Sequence, residues 1–335
     1  MGSEMCIRDR ARIVTISGMT RNVPDQTSTI GTLSHRGLIR IEGGDALRLL
    51  QGQLSNDVGA LGVAQQQFTS LNSPKGRLLA TGFLMRAAPE AYWFDLPKTL
   101  VESVIKRLKM FLLRSDVRIE ALDSASATAI IGAPAAGALP ADQYEALAPL
   151  LGQNASPDMG QHLDDDRLAV PRPGQPRRWV IWSPSAPRTQ LDHDLTDAWR
   201  LADLQAGIAN LAPETQDRFI AQHAGVDRLN GLSFTKGCFT GQEVIARLHY
   251  LGQAKRFLAL GASACAPEAG CRLMHTTDDS TVGEVVESVV CSGQSHWLAV
   301  LQGDKFAPGD LHVSSDQPVS SLRYFKDENP PAGPD

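Results

Sequence analysis

The chain has 335 residues, of which 42% are hydrophobic and 21% are charged, and its formal net charge is −5 with a pI of about 5.9. This length allows two or three domains, and the composition is that of a globular protein. The acidic balance argues against a protein that binds nucleic acid by general attraction to phosphates. No apolar run reaches the roughly 18 residues that a membrane-spanning helix needs.

The two ends of the chain differ from the rest. Residues 1–30 mix arginine with acidic residues and carry no apolar segment followed by a small-residue cleavage site, so they resemble neither a secretory signal nor a typical transit peptide. We therefore expect a cytoplasmic protein, with the mitochondrial matrix as the alternative. Residues 1–30 and 327–335 are interpreted as disordered tails.

Strands and helices alternate after the first tail. GLIRIEG predicts a strand, DALRLLQGQL a short helix capped by Asp45, and QQFTSLNSPKGRLLATGFLMRA two strands around a Ser-Pro-Lys-Gly turn. AYWFDL predicts a strand, KTLVESVIKRLKMFLL a helix that begins after Pro97, and DVRIEAL another strand. Neither a Rossmann glycine fingerprint nor a P-loop occurs, which removes the two commonest nucleotide sites.

The second half of the chain changes pattern twice. Residues 124–194 are less regular, and we expect a subdomain or insertion there with strands at ATAII and RRWVIWS. DLTDAWRLADLQAGI predicts a helix that ends at Gly207. The short segments KRFLALGA, CRLMHT, TVGEVVESVV, HWLAVLQ and SSLRYF then predict a small β-barrel or sandwich over residues 251–326.

Five cysteines, an odd number, favour reduced thiols over a disulfide framework. Cys265, Cys271 and Cys291 fall in the predicted barrel, with His275 between them. Their spacing lacks a CxxC pair, so we interpret the three cysteines as buried structural thiols and predict no metal site.

Cys238 lies in a different setting, the stretch SFTKGCFTGQEVIARLHYLGQAKRF. Residues 240–243 fit a capping box, in which the Thr240 hydroxyl accepts from the Glu243 N–H and the Glu243 carboxylate accepts from the Thr240 N–H. Cys238 would then precede the helix cap by two residues. The positive helix end and the nearby Lys236 both favour a thiolate. From this local chemistry, a reactive thiol and a buried turn cysteine both remain open.

KGCFTGQEVIAR resembles the Lys-Gly-Cys-Tyr-x-Gly-Gln-Glu signature of the YgfZ family of folate-binding proteins, which are involved in iron–sulfur cluster maintenance; Phe239 stands where Tyr is commoner. LLQGQLSNDV, NSPKGRLLATGFL and the segment from LQAG to KGC resemble further family segments, so the resemblance covers about residues 31–326. The family is similar to the glycine cleavage T protein, a tetrahydrofolate-dependent aminomethyltransferase. The resemblance implies an α+β, T-protein-like fold, with a folate-binding α/β region over residues 31–250 and a C-terminal β-barrel.

The resemblance also implies a site for tetrahydrofolate or a derivative. Lys75 and Arg77 suit the carboxylates of a folate glutamate tail, unless they form a solvated hairpin tip. The amide of Gln205 could pair with a pterin edge, and Trp199 either stacks on the pterin or lies in the core. The candidate folate-binding residues are Gln51, Gln53, Asn56, Asp57, Lys75, Arg77, Trp199, Gln205, Gln242 and Glu243, of which the first four are alternatively capping and turn residues.

Two departures from the T protein bear on function. No aspartate occurs between Asn72 and Phe94, where the T protein carries an Asp pair, and Gln205 replaces its glutamate. We therefore expect a tetrahydrofolate-binding accessory protein for assembly or repair of iron–sulfur enzymes, including radical enzymes that modify tRNA, with Cys238 as the functional thiol beside Lys236. The alternatives are a folate-dependent aminomethyltransferase and a scaffold with a structural cysteine. Expected partners are a reduced folate and iron–sulfur enzymes or assembly proteins, without direct contact to nucleic acid or membrane.

Overall fold

A computed structural model describes residues 29–132, 159–164, 166–185, 191, 193–252, 255–313 and 317–325. Within these ranges the chain forms two five-stranded sheets and one closed six-stranded barrel. Of the expected tails, residues 1–28 and 327–335 lie outside the described residues.

The strands and α-helices of the described residues are numbered in chain order. The strands are β1 (Thr29–Thr32), β2 (Arg36–Glu42), β3 (Gln66–Asn72), β4 (Leu78–Ala88), β5 (Ala91–Pro97), β6 (Arg118–Ala121), β7 (Ser126–Ile131), β8 (Gln161–His162), β9 (Leu168–Arg172), β10 (Arg178–Ser183), β11 (Arg256–Ser263), β12 (Arg272–His275), β13 (Thr281–Cys291), β14 (Gln294–Gln302), β15 (Leu311–Val313) and β16 (Gln317–Tyr324). The helices are α1 (Ala46–Gln53), α2 (Val101–Lys109), α3 (Thr196–Ala206) and α4 (Gln242–Leu251). In the described part of the chain, no helix is both long and apolar enough to cross a membrane.

The first sheet has the order β3-β4-β5-β2-β6, with antiparallel neighbours throughout. Helices α1 and α2 supply Leu50, Val104 and Leu108 to the core cluster that also contains Ile39 and Ile41 of β2. The apolar spacing therefore identified the buried face of α2 correctly, whereas in α1 the spacing also predicted Leu47 on the buried face, and that side chain is 39% exposed. Helix α2 is shorter than its sequence pattern predicted, since a 3-10 turn over residues 98–100 precedes it.

The second sheet has the order β1-β7-β10-β9-β8 and occupies much of the region expected to hold a subdomain. Strands β7 and β10 are the two that ATAII and RRWVIWS predicted. Strand β1 pairs with β7 from Thr29 to Thr32, so the predicted boundary of the first tail at residue 30 is two residues too late. A strand of only four residues, Thr-Ile-Gly-Thr, carries too little alternation to be recognised from sequence.

The barrel confirms the predicted C-terminal β-structure, with the closed order β11-β14-β13-β12-β15-β16. Its interior contains Trp297, whose indole N–H donates to the Ser263 hydroxyl at 3.0 Å. The buried indole therefore keeps its donor satisfied inside an apolar core.

Buried charges join the two sheets, and a further ion pair joins α3 to the barrel. Asp95 of β5 accepts from Arg36 Nε of β2 at 2.7 Å and pairs with Arg172 of β9, in the second sheet. Arg200 of α3 donates to Glu287 of β13 at 2.9 Å. Burial raises the pKa of Glu287 to about 7, against the opposing effect of Arg200. These pairs fix how the sheets and barrel meet.

Candidate functional site

The loop that carries Cys238 is fixed to the segment that follows α1. The Thr240 N–H donates to the Gly52 carbonyl at 3.1 Å, and the Ser233 N–H donates to the Ser55 carbonyl at 3.0 Å. Two stretches that are distant in sequence, Gln-Gly-Gln-Leu-Ser-Asn and Ser-Phe-Thr-Lys-Gly-Cys, therefore form one local structure.

Lys236 holds this structure together from inside. Its buried ammonium donates to the carbonyls of Leu54 and Asn56, each at 2.8 Å, and lies 5.2 Å from the ring centroid of Phe239. Burial lowers the pKa of Lys236 to about 8. The ammonium is committed to backbone carbonyls, so Lys236 positions the loop of Cys238. Its expected effect on the thiol stays a prediction.

The predicted capping box is wrong. Helix α4 begins at Gln242, its N-cap is Gly241 in the left-handed conformation at φ 83°, and no side chain caps it. The Thr240 hydroxyl instead donates to Gln53 Oε1 at 3.2 Å, which ties it to α1. Cys238 therefore precedes the N-cap by three residues rather than two.

Two glycine turns pack directly against each other below the Cys238 loop. A Cβ added to Gly241 would lie 2.5 Å from the Ser73 carbonyl oxygen and 2.9 Å from the Gly76 Cα. A Cβ added to Gly76 would lie 2.8 Å from the Val244 Cβ. The Ser-Pro-Lys-Gly turn, the α1 segment and the Lys-Gly-Cys loop, all of which carried the family resemblance, thus meet in one place.

Cys238 is exposed and lines a groove with a volume of about 600 Å³. The thiol shares this groove with Gln242 and Glu243 of α4, and with Arg107 and Phe111 from the end of α2. Arg107 lies over the Phe111 ring, 4.9 Å from its centroid. Neither Arg107 nor Phe111 was among the predicted site residues, because nothing in the local sequence links them to Cys238.

The polar residues in the last turn of α1 and just after it find hydrogen-bond partners within the protein. Gln51 donates to Asp57 Oδ1 at 2.8 Å, and Asn56 donates to the carbonyls of Phe68 and Asn230 at 2.9 and 2.8 Å. This arrangement favours the alternative interpretation of Gln51, Asn56 and Asp57 as residues that fix the loop.

The α3 candidates separate into one buried and one exposed side chain. Trp199 is 2% exposed, and the Arg178 guanidinium lies 4.8 Å from its ring centroid, which favours the core interpretation. Gln205 is exposed, and its carbonyl accepts from Arg323 of β16 at 2.7 Å. Its side-chain amide makes no hydrogen bond within the described residues. Gln205 therefore presents an open amide where α3 meets the barrel.

Lys75 and Arg77 flank Gly76 on the exposed side of its turn. Arg77 donates to the Asp217 carbonyl at 3.2 Å, whereas Lys75 makes no ion pair with any described residue. Both side chains reach solvent, so they remain able to meet an anionic ligand.

The barrel cysteines are less buried than expected. Cys265 is exposed, and Cys271 and Cys291 are half-buried. Cys265 lies in the loop between β11 and β12 rather than in a strand, which explains its exposure. Among the described residues, no group of three or more His, Cys, Asp or Glu side chains is placed to hold a metal ion.

No family model matches the chain. It is 28% identical over 301 residues to a Yersinia enterocolitica protein named tRNA-modifying protein YgfZ, covering 86% of this chain and 88% of that protein. A Sodalis glossinidius protein of the same name is 29% identical over 306 residues, covering 86% and 89%.

Among solved structures, the fold is similar to the glycine cleavage system aminomethyltransferase T of Bartonella henselae. The TM-score is 0.60 at 15% identity, and the match covers 90% of this chain and 88% of that one. At this identity the likeness concerns the fold alone. It confirms the predicted T-protein-like α+β architecture.

Proposed function

Because the chain is a homologue of the bacterial proteins named tRNA-modifying protein YgfZ, as its signature indicated, we propose that it is a tetrahydrofolate-binding accessory protein for iron–sulfur enzymes, including enzymes that modify tRNA. Its clients would be such enzymes or the proteins that assemble their clusters, in the cytoplasm. Cys238 is the functional thiol of this proposal.

The observation that carries the proposal is the presentation of Cys238. Three separate segments are hydrogen-bonded or packed together beneath it, yet the thiol itself stays exposed at the rim of a groove. A cysteine kept for packing is ordinarily buried. A fixed loop with an accessible sulfur instead suits a thiol that reacts with or transiently binds a partner.

The folate component rests on the polar groups that the fold leaves open. Gln205 presents an amide at the boundary between α3 and the barrel, and an amide can both donate to and accept from a pterin edge. Lys75 presents an exposed ammonium that suits a glutamate-tail carboxylate. We propose that the folate lies in a cleft between the α/β region and the barrel, where Gln205 orients the pterin.

The role of the thiol is tested in cells that lack their own homologue. Cys238→Ala should fail to restore the tRNA nucleosides made by iron–sulfur enzymes, measured by mass spectrometry, while Cys265→Ala, at another exposed cysteine, should restore them. Equal restoration by both variants would remove Cys238 from the proposed function.

Folate binding is tested separately with purified protein. Calorimetry should show saturable binding of tetrahydrofolate, about tenfold weaker in Gln205→Ala, since an unpaired pterin edge costs on the order of 1–2 kcal/mol. Gln294→Ala, at an exposed barrel position, should bind as the parent does. No heat with any reduced folate would refute the folate component.

A further inference from the structure

One cation lines the groove beside Cys238, and others lie close in sequence to residues that line it. Arg107 lines it, and Lys106 and Lys109 lie in the same last turn of α2. Arg247 lies one helical turn beyond Glu243 on α4. None of these four cations makes an ion pair with a described residue. In a chain with a net charge of −5, this concentration of positive charge is local.

Exposed apolar side chains lie close in sequence to the groove residue Phe111. Met110, which precedes it, is 62% exposed, and Leu113, two residues after it, is 90% exposed. Scattered exposed apolar residues need no explanation, but here two of them flank a residue that lines a groove. A ligand that covered the groove would bury apolar as well as polar atoms.

Arg107 indicates what kind of group the groove accepts. Its Nε is buried and has no hydrogen-bond partner, and the guanidinium lies over the Phe111 ring at 4.9 Å. A guanidinium held against an aromatic ring presents its N–H edge in a fixed plane. That edge matches a carboxylate, which accepts two parallel hydrogen bonds.

We propose that an acidic segment of a partner protein, which also carries an apolar side chain, binds to this surface. The surface, named the Arg107 surface, is formed by Arg107, Phe111, Met110, Leu113 and the neighbouring cations. Carboxylates of the segment pair with Arg107 and the lysines, and the apolar side chain covers Met110 and Leu113. Docking brings the segment against Cys238. The inference deepens the proposed function by giving the client a recognition chemistry, and it rests on that function.

A protein segment fits this surface better than nucleic acid. The exposed carboxylate of Glu243 lines the groove and repels phosphates and carboxylates alike, but a protein segment can offer it a lysine, which nucleic acid lacks. Met110 and Leu113 offer apolar contact that phosphates do not use. Phe, Met and Arg are enriched in protein interfaces, and this surface presents Phe111, Met110 and Arg107.

The first test measures binding without the thiol. Fluorescence anisotropy with Cys238→Ser protein uses three probes: a Glu-rich peptide with one leucine, the same peptide with lysine for glutamate, and a single-stranded RNA of equal length. We expect the acidic peptide to bind at least about tenfold more tightly than either other probe. Its affinity should decrease as the salt concentration increases. Equal binding of both peptides, or a preference for RNA, would overturn the proposal.

Charge reversal locates the binding. Arg107→Glu and the exposed-site variant Lys109→Glu should each weaken the affinity for the acidic peptide by about fivefold to tenfold. Arg272→Glu, at an exposed cation on barrel strand β12, changes the net charge equally and should alter affinity less than about twofold. If all three variants weaken binding alike, net charge rather than the Arg107 surface is responsible and the proposal fails.

The second test uses Cys238 as a reporter in the parent protein. Its thiolate attacks an aromatic disulfide, the S–S bond breaks, a mixed disulfide forms and an aromatic thiolate leaves. At each cysteine, the rate with a dicarboxylate disulfide reagent is divided by the rate with a neutral pyridyl disulfide. In Arg107→Glu this ratio should fall about fivefold or more at Cys238 relative to the parent protein, and it should stay constant at exposed Cys265. An unchanged ratio at Cys238 would contradict the inference. The peptide arm needs no thiol, so failure of docking and failure of the Cys238 function give different results.

Discussion

Gly76 and Gly241 pack backbone against backbone, so that a Cβ on Gly241 would lie 2.9 Å from the Gly76 Cα. Both residues have positive φ angles, 69° and 83°, which L side chains rarely adopt. The contact joins the turn before β4 to the start of α4, and both turns carry part of the family signature. The two glycines thus set how closely the turn before β4 approaches the start of α4.

Gly241→Ala should lower the free energy of unfolding by about 2 kcal/mol, because it combines left-handed strain with a contact of 2.5 Å to the Ser73 carbonyl oxygen. Gly237→Ala is the matched control four residues earlier, where an added Cβ meets no atom within 4 Å. Urea denaturation of both variants measures the difference. Equal destabilisation would show that the glycine contact is not the cause.

Lys236 should give the protein a distinctive pH dependence. Its folded pKa of about 8 lies below the ordinary value of 10.5, so between these values the unfolded state binds more protons than the folded state. Stability due to this group therefore rises with pH over that window, by up to about 1.4 kcal/mol per pH unit. Lys236→Met should remove this slope, measured by urea denaturation from pH 7 to 10.

The control for Lys236 is Lys75→Met, which removes an exposed lysine from the turn beside Gly76. Its pH profile should follow that of the parent protein. If Lys236→Met also keeps the parent slope, the buried ammonium is not the titrating group. Lys236→Met should in addition loosen the Cys238 loop, since the Leu54 and Asn56 carbonyls lose their donor.

Local patterns predicted most elements of the fold. The barrel strands, β4 and α1 are each recognisable from periodicity within about ten residues, and the signature carried the overall architecture. Contacts between distant segments were not predictable in this way. Lys236 binds carbonyls that lie 182 and 180 residues earlier, and Arg107 reaches the groove only because α2 packs across the first sheet. Physical chemistry gives the type of partner that each side chain needs, but the tertiary fold decides which one it meets.

The cysteines should react in an order set by exposure. Cys238 and Cys265 are exposed and should be alkylated first, whereas Cys271 and Cys291 are half-buried and should follow. Site-resolved mass spectrometry of iodoacetamide labelling gives the four rates. The expectation that all barrel cysteines are slow is thereby revised for Cys265. A rate at Cys238 no higher than at Cys291 would contradict an accessible functional thiol.

We expect no aminomethyl transfer. Strand β4, Leu78–Ala88, follows the Gly76 turn and contains no aspartate, although the T protein carries its Asp pair after the corresponding turn. A turnover assay with tetrahydrofolate and an aminomethylated lipoyl carrier should show no product above the protein-free control. Measurable transfer would mean that another residue replaces the missing carboxylate.

Asp95 should be among the most sensitive positions for stability. Its carboxylate, 1% exposed, accepts from Arg36, Arg172 and the Trp182 indole, and so joins the two sheets. Asp95→Asn keeps the shape but leaves two buried guanidinium groups without a counter-charge. Removing one partner of a buried ion pair typically costs about 3–5 kcal/mol, because the remaining charge stays desolvated.

Glu120→Gln is the matched control for Asp95→Asn, since it makes the same carboxylate-to-amide change at a more exposed pair with Arg40 and Arg118. Exposed pairs are screened by water, so this variant should lose less than about 1 kcal/mol. Urea denaturation with a probe for each sheet distinguishes the outcomes. Because Asp95 bridges the sheets, Asp95→Asn should lower the urea midpoints of both sheets together. A loss of stability confined to the first sheet, or equal to that of Glu120→Gln, would show that the bridge does not couple the sheets.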